Sequence, residues 1–162
     1  MSLEDKKREL IEELGVHLEQ DNLAPLAARI LATLILSGKK GVTFDDLVCN
    51  LQAGKSTVST HLDQLQNTNR VKYFTKPGDR KRYFIIDPNL VVNMVDEMLN
   101  KWENEKKLHI KIRDYKQECN KKAEETGSFK FDLDFQDDFL TFLGETSNAV
   151  IKFKSKLISR NK

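Results

Sequence analysis

Apolar residues recur at helical spacing through most of this chain, interrupted by two short β-prone runs. Leu3, Leu10, Ile11, Leu14 and Leu18 share one side of a stretch whose other side is acidic, predicting an amphipathic helix over 3–20. Asp21 and Asn22 break that pattern. Pro25 suits a first helical position, and Leu26, Ala27, Ile30, Leu31, Leu34 and Ile35 are apolar enough for a central core helix. The sequence Ser37-Gly38-Lys39-Lys40-Gly41 ends it, with glycine available for a left-handed cap. Val42 reads as a very short strand. Thr43 then caps a helix bearing Phe44, Leu47, Val48 and Leu51, with Asp46 standing three residues on in place of Glu. Gln52-Ala53-Gly54 forms a tight turn, and Val58, Leu62 and Leu65 give the following helix one narrow buried stripe ending by Asn69.

The runs 71–75 and 82–86 are β-prone, and Lys76-Pro77-Gly78-Asp79 between them places Pro and Gly where a type II turn needs them. Asp87 and Pro88 read as N-cap and first residue of a long helix. Its stripe runs through Leu90, Val91, Met94, Val95, Met98, Leu99 and Trp102, continues through Leu108, Ile110, Ile112 and Tyr115, and stops around 124–128. Asp132 or Asp134 caps a last helix with Phe135, Phe139, Phe142, Leu143, Val150, Phe153 and Leu157. Two short helices joined by a glycine-containing turn and followed by a hairpin predict a winged helix-turn-helix. The expected fold is therefore mainly α, with a small antiparallel wing. The expected parts are an N-terminal helix over 1–22, a winged helix-turn-helix over 23–87 and a C-terminal helical dimerisation region over 88–162. The stripe after Pro88 is too long to be buried within a small domain alone, so a partner helix is expected.

The stretches Ala28-Arg29-Ile30-Leu31-Ala32, Thr43-Phe44-Asp45-Asp46-Leu47, Lys55-Ser56-Thr57-Val58-Ser59 and Thr75-Lys76-Pro77-Gly78-Asp79-Arg80-Lys81-Arg82-Tyr83 resemble the MarR superfamily, nearest its GbsR-like branch. That resemblance implies a homodimeric transcription factor, often a repressor relieved by a small ligand.

The polar face of the helix after Gly54 carries Ser56, Thr57, Thr60, Gln64 and Asn67, short and mostly uncharged. Solvated helix faces usually carry Lys and Glu, which are better helix formers. Hydroxyls and amides suit base edges and phosphates instead. The candidate DNA-binding residues are Lys55, Ser56, Thr57, Ser59, Thr60, His61 and Gln64 on this helix, with Lys72, Lys76, Arg80, Lys81 and Arg82 on the hairpin. Ser56, Thr57 and Thr60 occupy the first turns, the part of a recognition helix that enters the major groove. Gln64 reaches adenine bidentately from one turn further on. His61 flanks the face and is as apt to meet backbone or solvent. Arg80 and Arg82 suit insertion into a narrow, negative minor groove. The competing account of the hairpin is a solvated edge strand guarded by Lys.

Composition narrows this only modestly. The chain has 162 residues, 32% of them charged, and a net charge of +2, so any affinity for nucleic acid must come from where the charges sit. Two cysteines without a C-x-x-C spacing exclude a disulfide framework or a standard zinc site. No apolar run approaches the ~20 residues needed to span a bilayer, and the charged N-terminus has no signal core. A cytoplasmic protein without cofactor or metal is expected. Ala53-Gly54-Lys55-Ser56-Thr57 superficially resembles a phosphate-binding loop, but position 49 is Cys where that loop needs Gly. Cys49 is expected as a small core hydrophobe. Cys119, near Lys116, Lys121 and Lys122, is either a redox-sensitive thiol or, more simply, an ordinary surface one. Trp102 with Phe135, Phe139 and Phe142 would serve as a cage for a cationic effector, or more simply as dimer core. No nucleophile motif supports an enzyme. The main alternative is a winged helix used as a protein-interaction module, because fold alone does not settle function.

Overall fold

The computed structural model describes residues 1–161 and divides into two units, residues 1–90 and 91–161. The first begins with α1 (Leu3–Glu19), whose N-cap Ser2 accepts a hydrogen bond from the Asp5 N–H while the Asp5 carboxylate accepts from the Ser2 N–H. Its buried Gly15 lets Arg29 of α2 (Pro25–Ser37) lie across it, pairing with Glu12 and Glu19. Pro25 is the first residue of α2, and Ala27, Ile30, Leu31 and Leu34 are buried at the centre of the unit. A short 3₁₀ turn over Gly38–Lys40 leads to β1 (Val42–Thr43). Gly41 between them has φ +71°, and a Cβ there would meet the Tyr83 Cβ at 3.0 Å and the Phe84 carbonyl at 3.1 Å. Only glycine accepts both the left-handed backbone and that approach.

Thr43 caps α3 (Phe44–Leu51), its hydroxyl accepting from the Asp46 N–H at 3.2 Å and donating to the Asp46 carboxylate at 2.7 Å. The chain then turns through Gln52, held in the left-handed region at φ 49°, a conformation usually left to Gly or Asn. Gly54 caps α4 (Lys55–Asn67), which buries Val58, Leu62 and Leu65 against α2 and α3. Strands β2 (Val71–Thr75) and β3 (Arg82–Ile86) form the hairpin, and β1 pairs with the other edge of β3, giving an antiparallel sheet in the order β1-β3-β2. The register sets Val42 and Tyr73 on either side of buried Phe84. Gly78 at φ 78° and an Asp79 N–H bond to the Lys76 carbonyl (3.0 Å) complete the expected turn.

The second unit is two long helices, α5 (Leu90–Thr126) and α6 (Asp134–Arg160), joined by a turn at Gly127. They run antiparallel, tied by ion pairs Arg113–Asp137 and Lys154–Asp96 and by a Lys116 bond to Gln136 at 3.0 Å. Val95, Ala123, Gln136 and Leu143 are the buried residues of these helices.

Three local expectations are corrected, and the cage alternative for the phenylalanines finds no support. α5 starts at Leu90 rather than Pro88, because the Asp87 carboxylate accepts the Asn89 N–H (2.9 Å) and holds the intervening residues in a turn. Leu133 is the N-cap of α6, while the Asp132 carboxylate serves the Asp134 N–H from one residue earlier (2.9 Å). Cys49 is exposed. It sits about 100° round the helix from Val48 and about 200° from Leu47, so it points away from the face that packs. Phe135, Phe139 and Phe142 do not make a box around a cation. They stack in a row along one helix, Phe135 on Phe139 at 5.7 Å and Phe139 on Phe142 at 6.1 Å, with the His109 ring of α5 against Phe139 at 4.5 Å. Cys119 is half-buried with the Tyr115 hydroxyl against its sulfur, which raises that hydroxyl above its ordinary pKa.

Candidate nucleic-acid interface

Helix α4 separates its roles by angle. Val58, Leu62 and Leu65 are buried, whereas Lys55, Ser56, Thr57, Ser59, Thr60 and Gln64 are turned toward solvent. The outward face therefore offers hydroxyls and the amides of Gln64 and Asn67, with one cation, Lys55, at the start of the helix and one acid, Asp63. The Thr60 hydroxyl donates to the Ser56 carbonyl at 2.9 Å, which leaves its lone pairs and methyl group facing out. His61 departs from this face. It is half-buried at the edge of the apolar stripe, three residues after Val58 and four before Leu65, and its Nδ1 is enclosed with no hydrogen-bond partner among the described residues.

The hairpin tip is held by one acid. The Asp79 carboxylate accepts the Tyr83 hydroxyl at 2.6 Å and the Lys81 N–H at 2.9 Å. These bonds, the Tyr83 one foremost, hold the Asp79 carboxyl below its ordinary range and raise the Tyr83 hydroxyl. Aromatic faces shape the cations around it. Lys76 Nζ lies 4.0 Å from the centre of the Tyr83 ring, and the Arg82 guanidinium lies 4.6 Å from that of Tyr73. Lys72, Arg80 and Lys81 have no such ring contact among the described residues. The bonds from Tyr83 and Lys81 keep the Asp79 carboxylate ionised, and the wing sets five cations, Lys72, Lys76, Arg80, Lys81 and Arg82, against that one acid.

A groove of about 320 Å³ joins helix and wing. It is lined by Ser59, Asp63 and Gln66 of α4 and by Arg80 and Arg82 of the wing, over a floor of Phe44, Leu62 and Phe84. Phe84 of the floor and Arg82 of the wall both belong to β3, where Phe84 pairs with Val42 of β1 and Tyr73 of β2. The structure thus brings Ser59, Arg80 and Arg82 together, while Lys55, Thr57 and Thr60 lie outside this groove on the exposed helix surface. Asp63 and Gln66 are site residues that the sequence reading does not single out. Their spacing from Ser59, four and then three residues, is the available signal for a shared face. Among the described residues no cluster of His, Cys, Asp or Glu suits a metal ion, and no helix is long and apolar enough to cross a membrane.

No family model matches the chain. It is similar to the HTH-type transcriptional regulator MmpR5 of Mycobacterium tuberculosis (strain ATCC 25618 / H37Rv), 28% identical over 89 residues that cover 55% of this chain. Those residues are 54% of that protein, so the chain spans about half the length of the curated relative it matches. A solved structure described as a transcriptional regulator shares the fold, with a TM-score of 0.53 at 18% identity over 95% of this chain and 99% of that one. A point mutant of MepR from S. aureus superposes with a TM-score of 0.42 at 17% identity, covering 77% of this chain and 88% of that one.

Proposed function

We propose that the chain, a winged-helix protein similar to transcriptional regulators, is of the MarR type, binds double-stranded DNA as a homodimer and regulates transcription. The observation that carries this reading is the exposed hydroxyl-and-amide face of α4 beside a wing that sets five cations against one acid. In this reading α4 enters the major groove, where Ser56, Thr57 and Thr60 in its first turns and Gln64 one turn later meet base edges and phosphates. Lys55 and Ser59 flank them at the backbone. Arg80 and Arg82 follow the adjacent minor groove and clamp the phosphates along it, and Lys72, Lys76 and Lys81 neutralise phosphates on either side. His61 supports the helix from behind rather than reading sequence. Asp63 discourages phosphate from entering the groove too deeply and so fixes where the strand runs.

The homodimer would form through the N-terminal helix (1–22) and the C-terminal region (88–162), setting two α4 helices about one DNA turn (~34 Å) apart on a pseudo-palindromic site. Support for a dimer comes from the exposed apolar residues of these segments, among them Leu10, Val16, Met94, Phe135 and Phe142. A repressor role, relief by a small ligand and a GbsR-like place in the superfamily are what the resemblance of stretches within residues 25–86 implies, and a cytoplasmic location fits a regulator of transcription. Fluorescence anisotropy with a random duplex at low salt tests the proposal directly. Binding that weakens steeply with salt is expected. No binding at low salt would refute it and leave a protein-interaction module. Selection from genomic fragments with the purified protein then yields the operator.

A further inference from the structure

The register of the wing sorts its cations onto two faces. Residues directly opposite in an antiparallel pair share a face, and successive residues alternate between faces. Tyr73 stands opposite Phe84 and Thr75 opposite Arg82, so Arg82 lies on the face that buries Val71 and Phe84. Lys72 opposite Ile85 and Phe74 opposite Tyr83 form the other face. Arg80 belongs with Arg82, because both line the groove shared with α4. Lys76 belongs with Lys72, because its Nζ lies 4.0 Å from the centre of the Tyr83 ring. The wing thus carries two arginines toward α4 and two lysines away from it.

Each face also sets one aromatic ring under a cation. On the α4 side the Arg82 guanidinium lies 4.6 Å from the centre of the Tyr73 ring, which meets Phe84 at 5.9 Å. On the far side the Tyr83 ring under Lys76 stacks on Phe74 at 5.5 Å and donates its hydroxyl to Asp79. Both rings are held by the sheet, while Arg82 and Lys76 themselves are exposed. Long cationic side chains lose rotamer freedom when they meet a phosphate, and a ring beneath the cation takes part of that loss before DNA arrives. In a duplex, one sugar-phosphate strand separates a major groove from the adjacent minor groove. With α4 in the first and the wing in the second, that strand runs past Ser59, Arg80 and Arg82. The other wall of the minor groove is the opposite strand, and it faces the lysine side of the wing.

We propose that the wing divides its grip by face. Arg80 and Arg82 hold the strand next to α4, Lys72 and Lys76 hold the opposite strand, and Tyr73 and Tyr83 are the positioning residues that set Arg82 and Lys76. This deepens, and rests on, the reading of the chain as a duplex-binding protein. The test uses the full chain in anisotropy titrations of a random duplex at low salt. Tyr73→Leu should weaken binding about threefold at each wing, hence about tenfold in a dimer, while Tyr73→Phe, which keeps the ring, should bind as wild type does. Tyr73→Leu should have no further effect in an Arg82→Ala background, nor Tyr83→Leu in a Lys76→Ala background. A tyrosine that only supports the fold would weaken binding equally in both backgrounds, and that result overturns the positioning role. Ethylation interference on the duplex selected from genomic fragments reads the strands. Within each half-site, Arg82→Ala should lose interference on the strand next to α4 and Lys76→Ala on the opposite strand. Loss on the same strand in both variants overturns the division. If circular dichroism shows that Tyr73→Leu does not fold, Tyr73→Thr replaces it, a strand former without a ring. A wild type that binds no duplex would remove the DNA-binding reading itself, whereas a wild type that binds without these couplings overturns this proposal alone.

Discussion

Arg82 is where the proposed division between grip and sequence reading is most exposed to test. Its guanidinium lies over the Tyr73 ring at 4.6 Å and its side chain is solvent-exposed, so Arg82→Ala removes one mobile positive charge without opening the core. Each phosphate neutralised in duplex DNA contributes about 0.9 to the slope of log affinity against log salt. In a symmetric dimer the substitution occurs twice, so the slope should fall by about 1.8. Between about 50 and 200 mM salt, a span of about 0.6 log units, that corresponds to roughly a twelvefold smaller loss of affinity than wild type shows. The assay is anisotropy titration across a potassium chloride series, on both the selected site and a random duplex. Arg82→Lys serves as the control: it keeps the charge and hence most of the slope, while losing the flat guanidinium that stacks on Tyr73. An Arg82→Ala slope equal to wild type would refute the reasoning, as would a loss confined to the selected site.

Gln64→Ala should lower affinity for the selected site by ~1–3 kcal/mol and relax preference at one base pair, leaving random DNA nearly unaffected; competition titrations with single-base variants measure this. Asp79→Asn weakens the carboxylate's bonds to Tyr83 and Lys81. Because the folded pKa of Asp79 is depressed from 3.8, its stabilisation is present above that value and is lost as pH falls through the lower folded pKa. The melting-temperature gap between wild type and Asp79→Asn should therefore be widest near neutrality and close in acid; a gap independent of pH would contradict this. Gly41→Ala forces a side chain into the left-handed region and against Tyr83 and Phe84, and should cost about 1–3 kcal/mol in urea unfolding.

The elements of the winged region are legible in sequence because their signals are local. The Thr43 cap spans three residues, the 76–79 turn four, and the β2–β3 register follows from that turn. Expectation and structure part where a short-range rule meets a competitor. Asp87 makes a side-chain turn in place of a helix cap, delaying α5 to Leu90. Gln52 takes a left-handed conformation that its residue type does not announce, held there by the packing of α3 and α4 on either side. Cys49 lies one position off the packed face on a helix of eight residues, where neighbouring positions differ by about 100°. His61 stands at the boundary between two faces, and only the width of the buried stripe shows which side holds it.

Periodicity and capping are enough to specify which residues of α4 face outward and that the hairpin is basic, since both depend on neighbours within about four residues. Sequence alone does not place Ser59, Asp63 and Gln66 in one groove with Arg80 and Arg82. That grouping depends on α4 and β3 packing about the same buried residues, Leu62 and Phe84 among them, contacts with no local signature. The same contrast holds for α6. Its apolar positions are written in the sequence as two overlapping stripes, one through Leu143 and Val150 and one through Phe135 and Phe142, and burial against α5 is what separates the stripe already satisfied from the one still exposed.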